Sequence, residues 1–516
     1  MPRSAGTTIA RNSLWLLLDN VGGTVISLVT SVAVARLLGP EKYGHLQYVL
    51  WVAAMAKIVG EMGVPLAARK FASEARGRGD MERVASIIRA THRFQVAMAV
   101  LIPAAGLGLV FSVVAPEHRL YAALASLSLA PAFLMGVPTS LLWSTENLSF
   151  ATKASLIGLA VNFIALMTAL FVLHLELPGI AAALLLGRTA DYLVRRHYYR
   201  DEVARLPKNA PRMDPELRRR LVRFCWHQSL LLAIEVVIWN RSEMLFLQYY
   251  STIAQVGFFS QGFNLVQNLM LLPRLLSAAA GATLMVKQGA SPKEVGHLGG
   301  KAVWVVAVVA LPATFGLAAL ASPALRTLYG IRYVDSIAPL TILGLFGLAR
   351  ALSFPLLEIL FATEKQLFVV RWSLAMLVVN LALGFWWIPG GGAVAAAWVK
   401  GVTQLFTVIG LWYFAVRHTG LVVPLGRFAR LAASGVGMFL AVEAVVAPLH
   451  PVAGLCVGIP VGAAVFLVLV KLTRTLAPDD AEFLTKMQGR LPSVIRKPYM
   501  RALHWITPAP APASPG

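Results

Sequence analysis

Long apolar stretches alternate with short polar connections along most of the chain. A helix needs about 20 mostly apolar residues to cross roughly 30 Å of hydrocarbon, because it rises about 1.5 Å per residue. Fourteen stretches meet this requirement, and the pattern predicts an all-α polytopic membrane protein of about 14 transmembrane helices. They cover residues 12–37, 46–66, 94–115, 120–142, 154–173, 177–194, 224–249, 254–286, 302–321, 337–360, 367–388, 393–414, 431–448 and 452–470.

The eighth stretch, residues 254–286, is too long for one straight helix across a bilayer. It contains Pro273, which has no backbone N–H to donate to the preceding turn. The sequence therefore predicts a kink here, or a first turn that lies at the membrane interface.

The composition supports a membrane protein, and the positions of the basic residues predict its orientation. The chain has 516 residues, of which 58% are hydrophobic and 14% charged, with a net charge of +22. With the N-terminus in the cytoplasm, the inner segments hold 34 Lys and Arg and the outer loops hold four. We therefore expect both termini to be cytoplasmic. The basic residues then orient the helices in the membrane and face anionic lipid headgroups. We therefore expect no nucleic-acid partner.

The polar connection from Arg195 to Arg223 is the longest in the chain and predicts a boundary between two lobes. A weak internal repeat supports two lobes, because Gly44 aligns with Gly257 when the two halves are compared at an offset of 213 residues. The same offset aligns Glu61 with Arg274. The predicted division is an N-terminal lobe, a C-terminal lobe, two accessory helices and a cytoplasmic tail, at residues 1–223, 224–420, 421–475 and 476–516.

Two loop segments resemble those of a known transporter family. LLGPEKYGHLQYVLW in the first loop and LYGIRYVDSIAPLTILG before the tenth helix resemble the polysaccharide-export flippases, of the O-antigen flippase type. These belong to the multidrug/oligosaccharidyl-lipid/polysaccharide exporter superfamily, and the resemblance extends from about residue 8 to 475. It implies two pseudo-symmetric six-helix lobes around a central cavity. It also implies alternating access in a bacterial inner membrane, which carries an undecaprenyl-pyrophosphate-linked oligosaccharide to the outer leaflet. Membrane lipids, a polysaccharide polymerase and chain-length machinery are the other partners it implies.

Several basic side chains lie within the predicted spans, where a charge costs about 2.5–3.5 kcal/mol on insertion scales and usually faces a bundle interior or a cavity. A diphosphate drawn into a region of low dielectric needs such cations, and arginine offers a fixed, permanently charged fork. The predicted substrate-binding residues of a cationic cavity are Arg188, Arg274, Arg350, Lys400 and Lys57.

Acidic side chains in the spans are the candidates for coupling to a proton or sodium gradient. Glu235 lies near the middle of the seventh helix, where burial of a carboxyl group favours its protonated form. Asp19, Glu61 and Glu358 complete the predicted coupling set. Two alternatives remain open: Lys57 and Glu61 form a self-neutralising pair four residues apart, and Glu235 forms a salt bridge.

Other classes of protein are disfavoured by what the sequence lacks. A membrane glycosyltransferase or polysaccharide polymerase needs a sizeable outer loop, whereas the longest here, SPALRTLYGIRYVDS, contains a single carboxylate, Asp335. No GxxxxGK[ST] motif is present, the ten histidines lack metal-ligand spacing, and the two cysteines lie in separate spans. We therefore expect no catalytic residues, metal or cofactor. A multidrug exporter or a lipid II exporter of the same fold remains the alternative transporter.

Overall fold

The computed structural model describes residues 5–145, 148–239, 242–290 and 292–476. Side chains are described over these ranges except at residues 5–19, 148, 230–231, 233–239, 282, 286–290 and 292–294. The predicted cytoplasmic tail lies outside the described residues from position 477 onward.

The first of two compact units spans Met1–Gln248. Its nine helices in the described ranges are α1 (Ala5–Glu61), α2 (Val64–Gly77), α3 (Met81–Val113), α4 (Pro116–Leu127), α5 (Leu129–Leu134), α6 (Gly136–Ser144), α7 (Leu148–Met167), α8 (Glu176–Ala204) and α9 (Pro215–Trp239). A π-helical turn, Thr168–Val172, extends α7. A tenth helix, α10 (Glu243–Tyr250), crosses the boundary between the units.

The second unit spans Tyr249–Gly516. Its helices are α11 (Ile253–Leu269), α12 (Leu271–Ala290), α13 (Pro292–Ala319), α14 (Ala321–Leu328), α15 (Ile337–Ala362), α16 (Gln366–Thr419), α17 (Leu425–Val446) and α18 (Pro451–Leu472), with a 3-10 segment at Ile331–Ser336. The residues that the structure describes contain no strand, and the all-α fold is confirmed. The four-part division of the chain stays a prediction.

Two of the helices each contain a break at a glycine. Gly39 in α1 has φ 72° and ψ 174°, and Gly392 in α16 has φ 54° and ψ −138°. Positive φ values favour glycine, which has no Cβ to clash with the backbone. Pro40 follows the first break, and a proline fits the first turn of the segment that starts there. Each break therefore separates two helical arms.

The described residues contain 10 helices that are long and apolar enough to cross a membrane, or up to 11 if the bent pair α11 and α12 is one span. The predicted count of 14 is higher. Two of the 10 are 42 and 54 residues long, and they include the breaks at Gly39 and Gly392. For each of these two long helices the sequence pattern predicts two spans, because each arm alone is about long enough to cross the membrane once.

The predicted kink in the eighth stretch is present, although it precedes the proline. The chain bends by 42° between α11 and α12, at Met270. Pro273 lies in the first turn of α12, where its missing N–H would have no partner within the helix. The proline therefore begins the second segment and does not interrupt it.

Helix α2 is amphipathic and closes one end of the first unit. Its buried face carries Val64, Phe71 and four alanines, and it packs in one cluster with apolar residues of α3, α6 and the segment 206–225. Small side chains along this face allow α2 to approach its neighbours closely. The opposite face keeps Arg69 exposed at the same end of the unit.

Helices α7 and α8 cross closely through two glycines. A Cβ on Gly158 would lie 2.6 Å from Cβ of Asp191, and a Cβ on Gly187 would lie 2.5 Å from Cβ of Asn162. Real Cβ atoms do not approach so closely, so only glycine fits at either position. The crossing holds the middle of α8, and with it Asp191, against the middle of α7.

Candidate functional site

A cavity of about 560 Å³, lined by charged, hydroxyl-bearing and apolar residues, lies within the first unit, where α1 ends and α2 and α7 begin. We call it the first-unit pocket. It combines charged side chains, hydroxyl groups and one tryptophan, which are features of sites that bind polar ligands. Its lining residues are Lys57, Glu61, Pro65, Leu66, Arg69, Ala132, Met135, Gly136, Thr139, Ser140, Trp143, Ala151, Thr152, Ser155, Asp191 and Arg195.

Helix α1 contributes an ion pair to the pocket. The Nζ atom of Lys57 lies 2.8 Å from Oε1 of Glu61, one helical turn away. The exposed fractions of the Lys57 and Glu61 side chains are 34% and 19%, so the pair is partly shielded from solvent. The predicted alternative of a self-neutralising pair is therefore realised, and both residues also line the cavity.

Helix α8 contributes a second, more deeply buried pair. The Nη2 and Nε atoms of Arg195 donate to Oδ1 of Asp191 at 2.6 and 3.0 Å, and Nη1 donates to Oγ1 of Thr139 at 3.1 Å. The Thr139 hydroxyl in turn donates to the carbonyl of Met135 at 2.6 Å. The guanidinium thus holds α8 to α6 through a continuous set of hydrogen bonds, which stiffens this wall of the pocket.

The third cation, Arg69, contacts an aromatic ring. Its guanidinium carbon lies 4.0 Å from the centroid of the Trp143 ring, which is a favourable cation–π geometry. Partial burial of the exposed Arg69 side chain lowers its pKa from the ordinary value, but an arginine stays protonated at any physiological pH. Among the residues that the structure describes, no carboxylate forms an ion pair with Arg69.

The pocket therefore carries three cations, Lys57, Arg69 and Arg195, and two carboxylates, Glu61 and Asp191. Its excess positive charge suits an anion, while its hydroxyl groups and the Trp143 face suit a polar, ring-shaped group. Of these five, the sequence predicts only Lys57 and Glu61 as site residues. Arg69 and Arg195 fall in the basic inner segments, where topology accounts for their charge, and Asp191 is not among the predicted site residues. Asp191 and Arg195 have the same spacing of four residues as Lys57 and Glu61, and that signal could have found them.

Arg188 lies elsewhere on α8, where it contacts the backbone. Its Nη1 atom donates to Oγ of Ser128 at 2.9 Å and to the Ser128 carbonyl at 3.3 Å. Ser128 separates α4 from α5, so the guanidinium satisfies acceptors at an interruption in that span. Arg188 is outside the lining of the first-unit pocket. Its role in binding substrate stays a prediction.

In the second unit, two predicted cations share one aromatic ring. The guanidinium carbons of Arg350 and Arg274 lie 4.6 and 5.4 Å from the ring centroid of Phe354. Arg350 is only 6% exposed, whereas Arg274 is exposed. The structure therefore brings α12 and α15 cations together around Phe354, and we call these three side chains the Phe354 cluster.

Lys400 and Glu358 occupy two further places in the second unit. The side chain of Lys400 is fully buried in α16, and its Nζ atom lies 5.9 Å from the centroid of the Phe263 ring. Glu358 lies one turn beyond Phe354 on α15, and its carboxylate fills the space that a side chain on Gly281 would occupy. The side chains of Asp19 and Glu235 lie outside the described residues. Their coupling roles, and that of Glu358, stay predictions.

A family and several solved structures match this architecture. The sequence profile of a family described as polysaccharide biosynthesis protein matches residues 9–285, which is more than half of the chain. No curated protein sequence matches the chain significantly.

The solved structures share the fold at low sequence identity. The lipid II flippase MurJ, in an inward closed conformation, matches with a TM-score of 0.69 and 14% identity, over 90% of this chain and 98% of its own. An inward-facing multidrug resistance transporter of the MATE family, in the MOP superfamily, matches with a TM-score of 0.64 and 15% identity, over 76% and 94%. A MOP superfamily transporter from Pyrococcus furiosus, described as having a binding pocket of reverse polarity, matches with a TM-score of 0.58 and 15% identity, over 80% and 95%.

Proposed function

The chain belongs to the polysaccharide biosynthesis protein family, and on that premise we propose that it is a flippase for a polyprenyl-pyrophosphate-linked oligosaccharide. It moves this substrate from the cytoplasmic to the outer leaflet by alternating access, for the synthesis of cell-surface polysaccharide. The family match confirms the resemblance identified from the two loop motifs. The MurJ-like and MATE-like fold supports a carrier with two bundles that open alternately.

The observation that carries the proposal is the excess positive charge of the first-unit pocket. A diphosphate attracts the cations Lys57 and Arg69, while the sugar stacks on Trp143 and bonds to the hydroxyl groups around it. The pocket lies near the predicted cytoplasmic end of α1, where a substrate made in the cytoplasm would enter. An exporter of organic cations would instead need an excess of carboxylates there.

The other predicted cations also act on the diphosphate in this proposal. Arg188, Arg274, Arg350 and Lys400 supply dispersed positive charge, so that the diphosphate is attracted without being trapped at one site. Glu235, with Asp19, Glu61 and Glu358, couples the movement to a proton or sodium gradient. We assign the chain no catalytic step and no cofactor.

The protein is a multi-pass membrane protein, and we propose a bacterial inner membrane with both termini in the cytoplasm. Its partners are then the lipid-linked substrate, membrane lipids, a polysaccharide polymerase and chain-length machinery. Cysteine labelling tests the orientation. In a background that lacks Cys225 and Cys456, a cysteine at Arg212 should react only in opened cells, and one at Arg332 should react in intact cells. The reverse pattern would overturn the orientation.

The transport proposal is tested in a strain that depends on this chain for surface polysaccharide. Single Gln substitutions at Arg69, Arg350 and Lys400 should leave the protein in the membrane, reduce surface polysaccharide and accumulate the lipid-linked precursor inside. Arg332→Gln, at an exposed position in a predicted outer loop, is the matched control. Normal export by all three variants would contradict a cationic binding path.

Coupling needs a separate experiment in inverted vesicles. Uptake of the labelled lipid-linked substrate should collapse when the ion gradient is dissipated, and Glu235→Gln should impair it. Uptake that continues without any gradient would remove the coupling role.

Lipid II is the second candidate substrate, because the MurJ structure covers 90% of this chain. Both substrates carry a polyprenyl diphosphate, so the charge of the pocket fits either. The chain should then sustain growth of cells depleted of their own lipid II flippase. Failure to do so, together with restored surface polysaccharide, would assign the oligosaccharide substrate.

A further inference from the structure

An apolar cleft of about 610 Å³ lies on the second unit, where α16 ends and α17 begins. Its lining includes Ile409, Tyr413, Val416, Val422 and Leu425. All five are large apolar or aromatic side chains that are exposed. Val422 and Leu425 are 66% and 68% exposed. Such a lining favours an occupant that presents a hydrocarbon chain.

The walls of the cleft are held in place by neighbouring helices. The backbone oxygens of Gly420 and Val422 lie so close to α13 that a Cβ on Gly296 or Gly300 would collide with them. The ring of Trp412, which also lines the cleft, packs edge-on to Phe428, with 5.3 Å between the centroids. The cleft is therefore formed before any ligand arrives.

The rim of the cleft is positively charged. Residues 409–430 contain three arginines and neither Asp nor Glu. Arg417 is exposed, and its Nη1 atom donates to the Tyr413 hydroxyl at 2.8 Å, which places a cation directly beside the lining. Arg427 follows Leu425 by two residues, and its guanidinium carbon lies 5.8 Å from the Trp304 ring. The rim therefore favours an anionic group above a hydrocarbon chain.

The cleft lies at the depth of the lipid headgroups on the predicted cytoplasmic side. The twelfth predicted span ends near residue 414 and the thirteenth begins near residue 431. Tyr413 and Trp412 are residue types that accumulate at this interface. Basic pockets between helices at this level recognise the phosphates of anionic lipids.

We propose that this cleft binds one anionic phospholipid, with an acyl chain against Ile409, Val422 and Leu425 and the phosphate on Arg417, assisted by Arg427. This lipid is distinct from the transported substrate and stays bound to the protein.

Native mass spectrometry of the purified full-length chain tests the proposal by titration with phosphatidylglycerol and with phosphatidylcholine of the same acyl chains. The wild type should bind phosphatidylglycerol more tightly. Arg417→Gln should weaken that binding about fivefold, because one cation near the surface contributes about 1 kcal/mol to attraction of anionic lipid. Arg417→Lys should keep most of the preference, and Arg332→Gln should behave as wild type.

A second variant tests whether the acyl chain binds in the cleft. It also provides a test if Arg417→Gln does not fold. Val422→Trp fills the cleft from an exposed position and should weaken phosphatidylglycerol binding while Arg417 is intact. Equal binding of the two phospholipids, or an unchanged affinity in Val422→Trp, would overturn the proposal. Displacement of phosphatidylglycerol by undecaprenyl phosphate at lower concentration would also overturn it, because the cleft would then belong to the substrate lipid.

Discussion

The two units hold their candidate binding-site charges in different ways. In the first unit, Lys57 pairs with Glu61 at 2.8 Å and Arg195 pairs with Asp191 at 2.6 Å. In the second unit, Arg350 and Arg274 contact one aromatic face, that of Phe354. A cation beside a carboxylate is already neutralised and must exchange partners to bind an anion. The face of an aromatic ring offsets only a small part of a cation's charge.

This difference assigns the units different tasks within the proposed function. Paired charges in the first-unit pocket fix the walls, and Arg69 alone supplies most of the available attraction. The Phe354 cluster offers attraction from two arginines at once.

Removing the carboxylate of the buried pair should damage folding more than any other change in the pocket. Asp191→Ala leaves the Arg195 guanidinium, 7% exposed, without its counter-charge, and breaking such a pair costs about 3 kcal/mol. Thermal unfolding of the purified protein should show a clear loss of stability. Asp201→Ala, an exposed position on the same helix, is the control, and an equal stability of the two variants would contradict a structural role for the pair.

Within the Phe354 cluster, the buried arginine should matter more than the exposed one. Arg350→Gln should lower export of lipid-linked substrate about tenfold, because a charge-assisted bond is stronger away from water, at about 1.5–3 kcal/mol. Arg274→Gln should have a smaller effect. Export in inverted vesicles, with melting temperature as a check on folding, measures both. Equal losses would remove the distinction by burial.

The contact between Arg69 and Trp143 should contribute a small coupling energy. A double-mutant cycle with Arg69→Gln and Trp143→Leu should give about 0.5 kcal/mol in the free energy of unfolding, as expected for a cation–π contact at an exposed site. Substrate binding should nevertheless fall in both single variants. Additive effects on stability would show that the two side chains do not interact.

Reversing the α1 pair should have the smallest effect on stability. The double variant Lys57→Glu, Glu61→Lys keeps one charge of each sign, and pairs of this spacing contribute only about 0.3–0.5 kcal/mol. The melting temperature should hardly change, whereas export should decrease because the cation has moved one turn along α1. Unchanged export would show that the position of this cation is unimportant.

The fold was largely predictable from the sequence, because bilayer thickness sets the length of each span. The breaks at Gly39 and Gly392 lie within a few residues of the predicted span ends at 37 and 393, and the bend at Met270 lies three residues before Pro273, where the sequence predicts a kink. The same apolar pattern predicts the all-α class, and the two loop motifs indicate the family.

The site was predictable only in part, because hydrophobic periodicity does not reveal which helices meet. Lys57 and Glu61 were identified by their spacing within one helix. The bond from Arg195 to Thr139 joins α8 to α6, and its partners are 56 residues apart. The sharing of Phe354 by Arg274 and Arg350 likewise depends on how α12 packs on α15. Contacts of this kind need the tertiary structure.

The turn at Gly392 has a consequence for the order in which the protein is made. Its first following amide, that of Ala393, donates to Oε1 of Gln255 at 2.8 Å, and Gln255 precedes it by 138 residues. Because synthesis proceeds from the N-terminus, α11 is available before the α16 turn leaves the ribosome. The two arms of α16 can thus enter the bilayer as one hairpin after Gln255 has been synthesised. The side chain of Gln255 is then available to accept the hydrogen bond from the Ala393 amide. A deletion that removed α11 would leave this amide to be satisfied by water during biogenesis.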